Sequence, residues 1–155
     1  MAVSEQFDSV IAKMPVLLER LKSSPALARD SLRGVPDHGI YVFYENETPV
    51  YAGRSNSLRQ RILTHGRQSS WHMSATFAFL LAEEEARSQD LDLKSMTRMQ
   101  QQNDPEFRQL YTQAKARVGR MLIRVVEVNN PIEQTIFEVY AALTLGTRYN
   151  DFDTH

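Results

Sequence analysis

Five consecutive β-branched or aromatic residues, Ile40-Tyr41-Val42-Phe43-Tyr44, constrain this chain more than any other stretch. Such a run favours a strand. A turn-rich linker, Arg33-Gly34-Val35-Pro36-Asp37-His38-Gly39, precedes it, and a turn-forming segment from Glu45 to Pro49 follows. Val50-Tyr51-Ala52-Gly53 then reads as a second short strand, so the pair predicts a hairpin. Met121 to Val128 is the third strand candidate.

Helical periods surround these strands. In an N-terminal arm from about Ser4 to Ser23, apolar residues fall at Phe7, Val10, Ile11, Met14, Leu17, Leu18 and Leu21, a helical spacing. Pro15 predicts a kink or a split into two helices. A short second helix is expected over Ser24 to Leu32, with Ser24 as N-cap and Pro25 at the first helical position. Leu58, Ile62 and Leu63 predict a helix from Ser57 to His65, with Ser57 capping it. Ala75 to Gln89 reads as a long helix, whose Glu83-Glu84-Glu85 run is expected to face solvent. The polar stretch from Leu91 to Asn103 shows no clear period. Asp104 and Pro105 open a helix that runs to Val118, and Asn130 and Pro131 open a last one, about Ile132 to Leu145, closed by Gly146. The order of elements is α+β: a small sheet covered by helices. It divides into an N-terminal helical arm, residues 1–32, and a domain, residues 33–155, with a helical insertion at about 74–118.

A chain of 155 residues is about one domain and can support its own core. It has no cysteine, which excludes disulfides and thiolate-bound zinc. Its first residues lack the pattern of a secretory leader, and no apolar run approaches the ~20 residues that span a bilayer. A cytoplasmic location without membrane contact is expected. The formal net charge of −1 argues against a strong non-specific nucleic-acid binder but leaves room for a local basic patch.

Such a patch is present. No acidic residue lies between Arg54 and Arg67, a stretch that also holds Arg59, Arg61 and His65. Arg61 and His65 are four apart and share one helix face. A phosphate-binding surface needs this local excess of cations. His72, after Trp71, is a further candidate to stack on a base or touch phosphate. Arg117, Arg120 and Arg124 flank the third strand and would extend a DNA-binding face or be isolated surface cations. Each feature also has a plainer reading. Tyr41 and Tyr51 would be half-buried strand aromatics, Arg61 and His65 a solvated helix face, and Asp151, Asp153 and His155 a solvated tail rather than metal ligands. Glu138, among Ile136, Phe137, Val139 and Tyr140, is less ordinary, since a carboxylate among apolar neighbours needs a partner or a metal. Glu133, one turn earlier, is better explained by the helix dipole.

Taken in order, Gly39-Ile40-Tyr41, Val50-Tyr51-Ala52-Gly53, Arg61, His65, Glu138 and Asn150 resemble the signature of the GIY-YIG nuclease family. The spacing from Glu138 to Asn150, 150 − 138 = 12, is similar to that in repair and restriction members. The likeness covers about Asp37 to Asn150. It departs at Ala52, where the family usually has isoleucine or valine; a smaller apolar residue in a packed strand position should be tolerated.

The resemblance implies a three-stranded antiparallel sheet flanked by helices, and a divalent-metal-dependent endonuclease acting on DNA phosphodiesters in restriction, defence or repair. Glu138 would be the metal ligand for Mg²⁺ or Mn²⁺, one carboxylate sufficing because Mg²⁺ keeps several waters. Arg61 would clamp the scissile phosphate. Tyr41 would be the general base, with His65 relaying its proton or bonding the phosphate, Tyr51 positioning water or phosphate, and Asn150 fixing the geometry. Arg54, Arg59, Arg67 and His72 would contact nucleic acid. Gly39 and Gly53 would be structural, allowing close backbone approach. Cutting both strands of a duplex would call for a homodimer, which the arm's apolar stripe would supply unless it completes the monomer's own core. The rival reading is a binding or protein-interaction module on the same scaffold without turnover.

Overall fold

The computed structural model describes residues 2–71, 75–91 and 96–152, with side chains from residue 5 onward. It divides into two compact units, Met1–Arg59 with Leu122–His155, and Gln60–Met121. His72, Asp153 and His155 lie outside the described residues.

The first unit is α+β. Helix α1 (Ala2–Ser23) leads to strands β1 (Gly39–Glu45) and β2 (Thr48–Ser55), and after the second unit the chain returns as β3 (Leu122–Glu127) and α6 (Pro131–Leu145). The sheet is antiparallel, with order β2-β1-β3. β1 is therefore the central strand, and Gly39 to Phe43 are all buried. This explains an uninterrupted apolar run where a one-sided strand would alternate.

One sheet face carries Ile40, Val42, Ala52 and Val126. They share a core with Val10, Met14, Leu17, Leu18 and Leu21 of α1 and with Phe137, Ala141 and Ala142 of α6. The N-terminal arm thus completes the core of this unit. Pro15 does not split or end the run: α1 is one continuous helix with the proline inside it. The backbone bond that Pro15 removes belongs to Ile11, and both residues lie on the exposed side, where water can satisfy the carbonyl. The buried stripe continues past it and holds the helix together.

The expected second helix is absent. Leu27 instead forms an antiparallel bridge with Ile123 on the outer edge of β3, through two backbone bonds of 2.8 Å, and only a 3-10 turn, Arg29–Ser31, follows. Arg124 donates to the carbonyl of Ser24 and lies over the Tyr44 ring at 5.5 Å. It is a structural clip for this segment rather than a cation on a DNA-binding face.

The hairpin turn is shorter than expected. Asn46 and Glu47 both have positive φ, 51° and 68°, the pattern of a two-residue type I′ turn. A bulge follows: Phe43 pairs with Tyr51 but Tyr44 with Pro49, leaving Val50 as the extra residue. Glycine is the residue this turn prefers at its second position. Glu47→Gly should therefore raise stability by about 1 kcal/mol, read as a higher midpoint in urea with an unchanged slope.

The second unit is helical among its described residues. Helix α2 (Leu58–Gly66) enters it, followed by α3 (Thr76–Ser88), α4 (Arg98–Asn103) and α5 (Pro105–Gly119). Phe79, Phe107 and Tyr111 form an aromatic cluster, with ring centroids 5.1 Å and 5.6 Å from Phe79. Asp104 caps α5 and Pro105 opens it, as the sequence predicts. In the stretch without clear period, Thr97 and Gln100 form a capping box that starts α4. Glu85 is exposed, while Glu83 and Glu84 are half-buried.

Candidate active site

The outer edge of β2 is closed by the end of the chain. In an antiparallel edge strand every second residue turns its N–H and C=O outward; here these are Val50, Ala52 and Arg54. Tyr149 N–H donates to the Val50 carbonyl at 3.2 Å. The Asn150 amide grips Ala52 from both sides, accepting from its N–H and donating to its C=O, each at 2.8 Å. The outward-facing backbone N–H of Arg54 lies near the Glu138 carboxylate and favours its charged form. Asn150 therefore anchors the Tyr51-Ala52-Gly53 strand by hydrogen bonding. Both ends of its amide are engaged there.

Helix α6 reaches this edge because its caps set its phase. Asn130 accepts from the N–H groups of Ile132 and Glu133, Pro131 takes the first position, and Gly146 ends the helix in the left-handed conformation. Phe137, Ala141 and Ala142 then face the core, and Glu138 turns to β2. The Glu138 side chain is 25% exposed, and its Oε1 lies 4.0 Å from Arg54 Nε. Burial pushes its pKa above the usual carboxylate range, opposed by the Arg54 guanidinium and the Arg54 backbone N–H. The carboxylate thus faces the hairpin and remains open to solvent. Glu133 bonds Lys13 instead.

Gln134, which the sequence reading passes over, joins this group. Its Oε1 accepts from Arg54 Nη1 at 3.3 Å, and its Nε2 donates to the Val128 carbonyl at 3.0 Å and to Asn56 Oδ1 at 3.3 Å. The signal was available: Gln134 and Glu138 are four apart on one helix, hence on one face.

The tyrosines leave the sheet on the other face. Tyr41 pairs with Gly53, and Phe43 with Tyr51, whereas Arg54 pairs with Ile40 on the core face. Tyr41 is only 2% exposed, and its ring lies directly over Gly53. Glycine is required there because any Cβ at residue 53 would sit 2.3 Å from the Tyr41 hydroxyl. Tyr41 is thus a packed ring rather than an open general base. Tyr51 is half-buried. The expectation that one spot gathers the carboxylate and both phenols gives way to an arrangement around the β2 edge, with Arg54 and Glu138 on one side and Tyr51 on the other.

Of the remaining candidates, Arg59 is exposed in the first unit. In the second unit Arg61 is half-exposed and Arg67 exposed. His65 is 0% exposed and packs edge-on to Phe77, with ring centroids 6.5 Å apart. Burial, with the Arg61 charge second, lowers its pKa to about 3. A neutral imidazole of so low a basicity does not take a phenol's proton near neutral pH, so the relay role is withdrawn.

The sign of this shift gives a test. Unfolded His65 binds a proton below about pH 6.5 and folded His65 does not, so its contribution is intact above 6.5 and is lost as pH falls toward 3. From pH 6.5 to 4.5 the wild type should lose about 2–3 kcal/mol that a His65→Phe variant does not lose, measured by urea unfolding at each pH.

Arg67 stands on a loop that a buried lysine holds. Lys115 of α5 donates to the carbonyls of Gln68 and Ser70 and lies 4.3 Å over the Tyr111 ring, whose hydroxyl donates to Ser70. Burial lowers the pKa of this ammonium. Arg117 and Arg120 line a groove of the second unit together with Leu81, Glu85 and Leu110.

No group of three or more histidine, aspartate or glutamate side chains gathers among the described residues. A cage of protein ligands is therefore not what this site offers. A single partly exposed carboxylate does fit Mg²⁺, whose remaining ligands are water and substrate phosphate. No helix among the described residues is long and apolar enough to cross a membrane. Set against family models, curated proteins and solved structures, the chain matches none.

Proposed function

We propose that this protein is a divalent-metal-dependent endonuclease that hydrolyses DNA phosphodiesters at the β2 edge, as the resemblance to GIY-YIG nucleases implies. The observation that carries the proposal is the placement of Glu138. It comes from the last helix, 138 − 55 = 83 residues after the hairpin ends, to meet Arg54 beside the Tyr51-Ala52-Gly53 strand while remaining 25% exposed.

Glu138 would hold Mg²⁺ or Mn²⁺; when bound, such an ion stabilises charge on the phosphoryl and leaving oxygens. Arg54 presents a guanidinium to the same spot, and its planar fork suits a phosphate. Asn150 and Gly53 keep the edge strand in place. Tyr51, the more open of the two phenols, keeps the role of orienting water or phosphate, whereas the buried Tyr41 is given no general-base role. The resemblance by itself assigns a phosphate clamp to Arg61 of the second unit. DNA is the partner, a homodimer would serve double-strand cutting, and a cytoplasmic setting suits a cysteine-free chain.

A second reading, a binding module without turnover, is favoured by the burial of Tyr41 and His65. Plasmid nicking separates the two. The nuclease reading expects supercoiled plasmid to relax with Mg²⁺ or Mn²⁺ and to stay intact with EDTA; the module reading expects DNA or protein binding without cleavage under either condition.

A further inference from the structure

Gln134 is 2% exposed, and every polar atom of its side chain is engaged. A guanidinium only donates and a carbonyl only accepts. Its amide therefore fits in one orientation, with oxygen toward Arg54 and nitrogen toward Val128 and Asn56. That orientation sets the next amide in turn. Asn56 must offer its oxygen to Gln134, and its NH₂ is directed elsewhere. Arg54 and Asn56, two residues apart at the end of β2, are thus fixed by one buried group. Both are open where they leave it, since the Arg54 side chain is 43% exposed and Asn56 is exposed.

We propose that Gln134 is a positioning residue that holds Arg54 and Asn56 as a phosphate-binding pair beside Glu138. A guanidinium fork and an amide NH₂, both donors, match the oxygens of a phosphodiester. The 4.0 Å approach to Glu138 is looser than a close ion pair, so the guanidinium keeps donors for an anion while Gln134 holds it in place. A buried amide is retained at low cost only when all its bonds are made, as they are here.

The part of this inference that concerns DNA rests on the nuclease reading; the positioning does not, and is measured separately. The first measurement is the ¹⁵N relaxation of the Arg54 Nε–H and Asn56 NH₂ groups in free protein. Gln134→Met should lower the order parameter of both, because the amide that holds them is gone. If that variant fails to fold, Gln134→Asn serves instead, its shorter amide falling short of Arg54. Unchanged order in both groups overturns the proposal. The second measurement is the affinity of wild type and variants for a labelled short duplex as salt is varied. Arg54→Ala should weaken binding about tenfold, Gln134→Met at least as much, and the double variant no further than Gln134→Met, whose effect already includes the loss of a held Arg54. Arg54→Ala should also reduce the salt slope by about 1, whereas Asn56→Ala weakens binding at an unchanged slope. Additive losses in the double variant contradict the proposal. A wild type that binds no duplex rejects the nuclease reading, and Gln134 is then judged on the side-chain relaxation alone.

Discussion

Glu138→Gln should reduce Mg²⁺-dependent nicking by about a thousandfold, equivalent to ~4 kcal/mol of lost transition-state stabilisation, while the protein remains folded. The substitution keeps the side chain's shape and length, so the packing of α6 against β2 is undisturbed. It removes the charge that a cation requires. The pair with Arg54 is also lost, but at 4.0 Å with both partners partly exposed it contributes no more than about 1 kcal/mol. Loss of activity with a melting point within a few degrees of wild type is therefore the expected result. Glu138→Ala also removes side-chain bulk from this packing, so it confounds the two effects and is the weaker test. Cleavage retained by a clean preparation of Glu138→Gln would remove the carboxylate from the mechanism.

Gly39→Ala should be among the most destabilising single methyl additions in this chain, costing about 3 kcal/mol or more. A Cβ on residue 39 would lie 2.1 Å from the Val126 carbonyl oxygen and 3.2 Å from the Glu127 Cα, which are backbone atoms of the paired strand. A side chain could swing away, but a strand cannot, so β1 and β3 must separate at a point where Ile40 and Val126 are both in the core. For a chain of this size the melting point should fall by roughly 10 °C. At Gly53 the obstacle is the Tyr41 ring, itself buried, and Gly53→Ala should also destabilise. A melting point for Gly39→Ala close to that of wild type would mean that the strand pairing described here is wrong.

Where local chemistry decides, the sequence is a good guide. Asp104-Pro105 and Asn130-Pro131 with Gly146 spell out the ends of α5 and α6. The apolar run at residues 40–44 marks β1, and the α+β class follows. Thr97 and Gln100 carry an equally local signal, a capping box, which a search for apolar period alone misses. The failures share a different cause. Ser24-Pro25 is a sound helix start, but Leu27 gains strand bonds to Ile123, and Arg124 claims the Ser24 carbonyl, about a hundred residues away. Tertiary pairing of this kind leaves no local trace.

The same division runs through the site. Glu138 stands out because a carboxylate amid apolar residues demands an explanation, and its place beside the hairpin follows from the phase of α6. Gln134 and Lys115 are polar residues on otherwise buried helix faces, and only the fold supplies the carbonyls, amide and guanidinium that satisfy them. His65 shares a face with Arg61, yet its burial depends on Phe77, which belongs to a later helix. Strand register likewise decides which sheet face Tyr41 and Arg54 occupy: one residue of slip would exchange them.

The most direct measurement is to locate a bound ion. Mn²⁺ should be titrated into ¹⁵N-labelled protein with a short duplex, and the paramagnetic broadening mapped. Broadening is expected to centre on the amides of Glu138 and Arg54 and to disappear in Glu138→Gln. Broadening centred elsewhere in a nicking-competent preparation, or undiminished in Glu138→Gln, would contradict it.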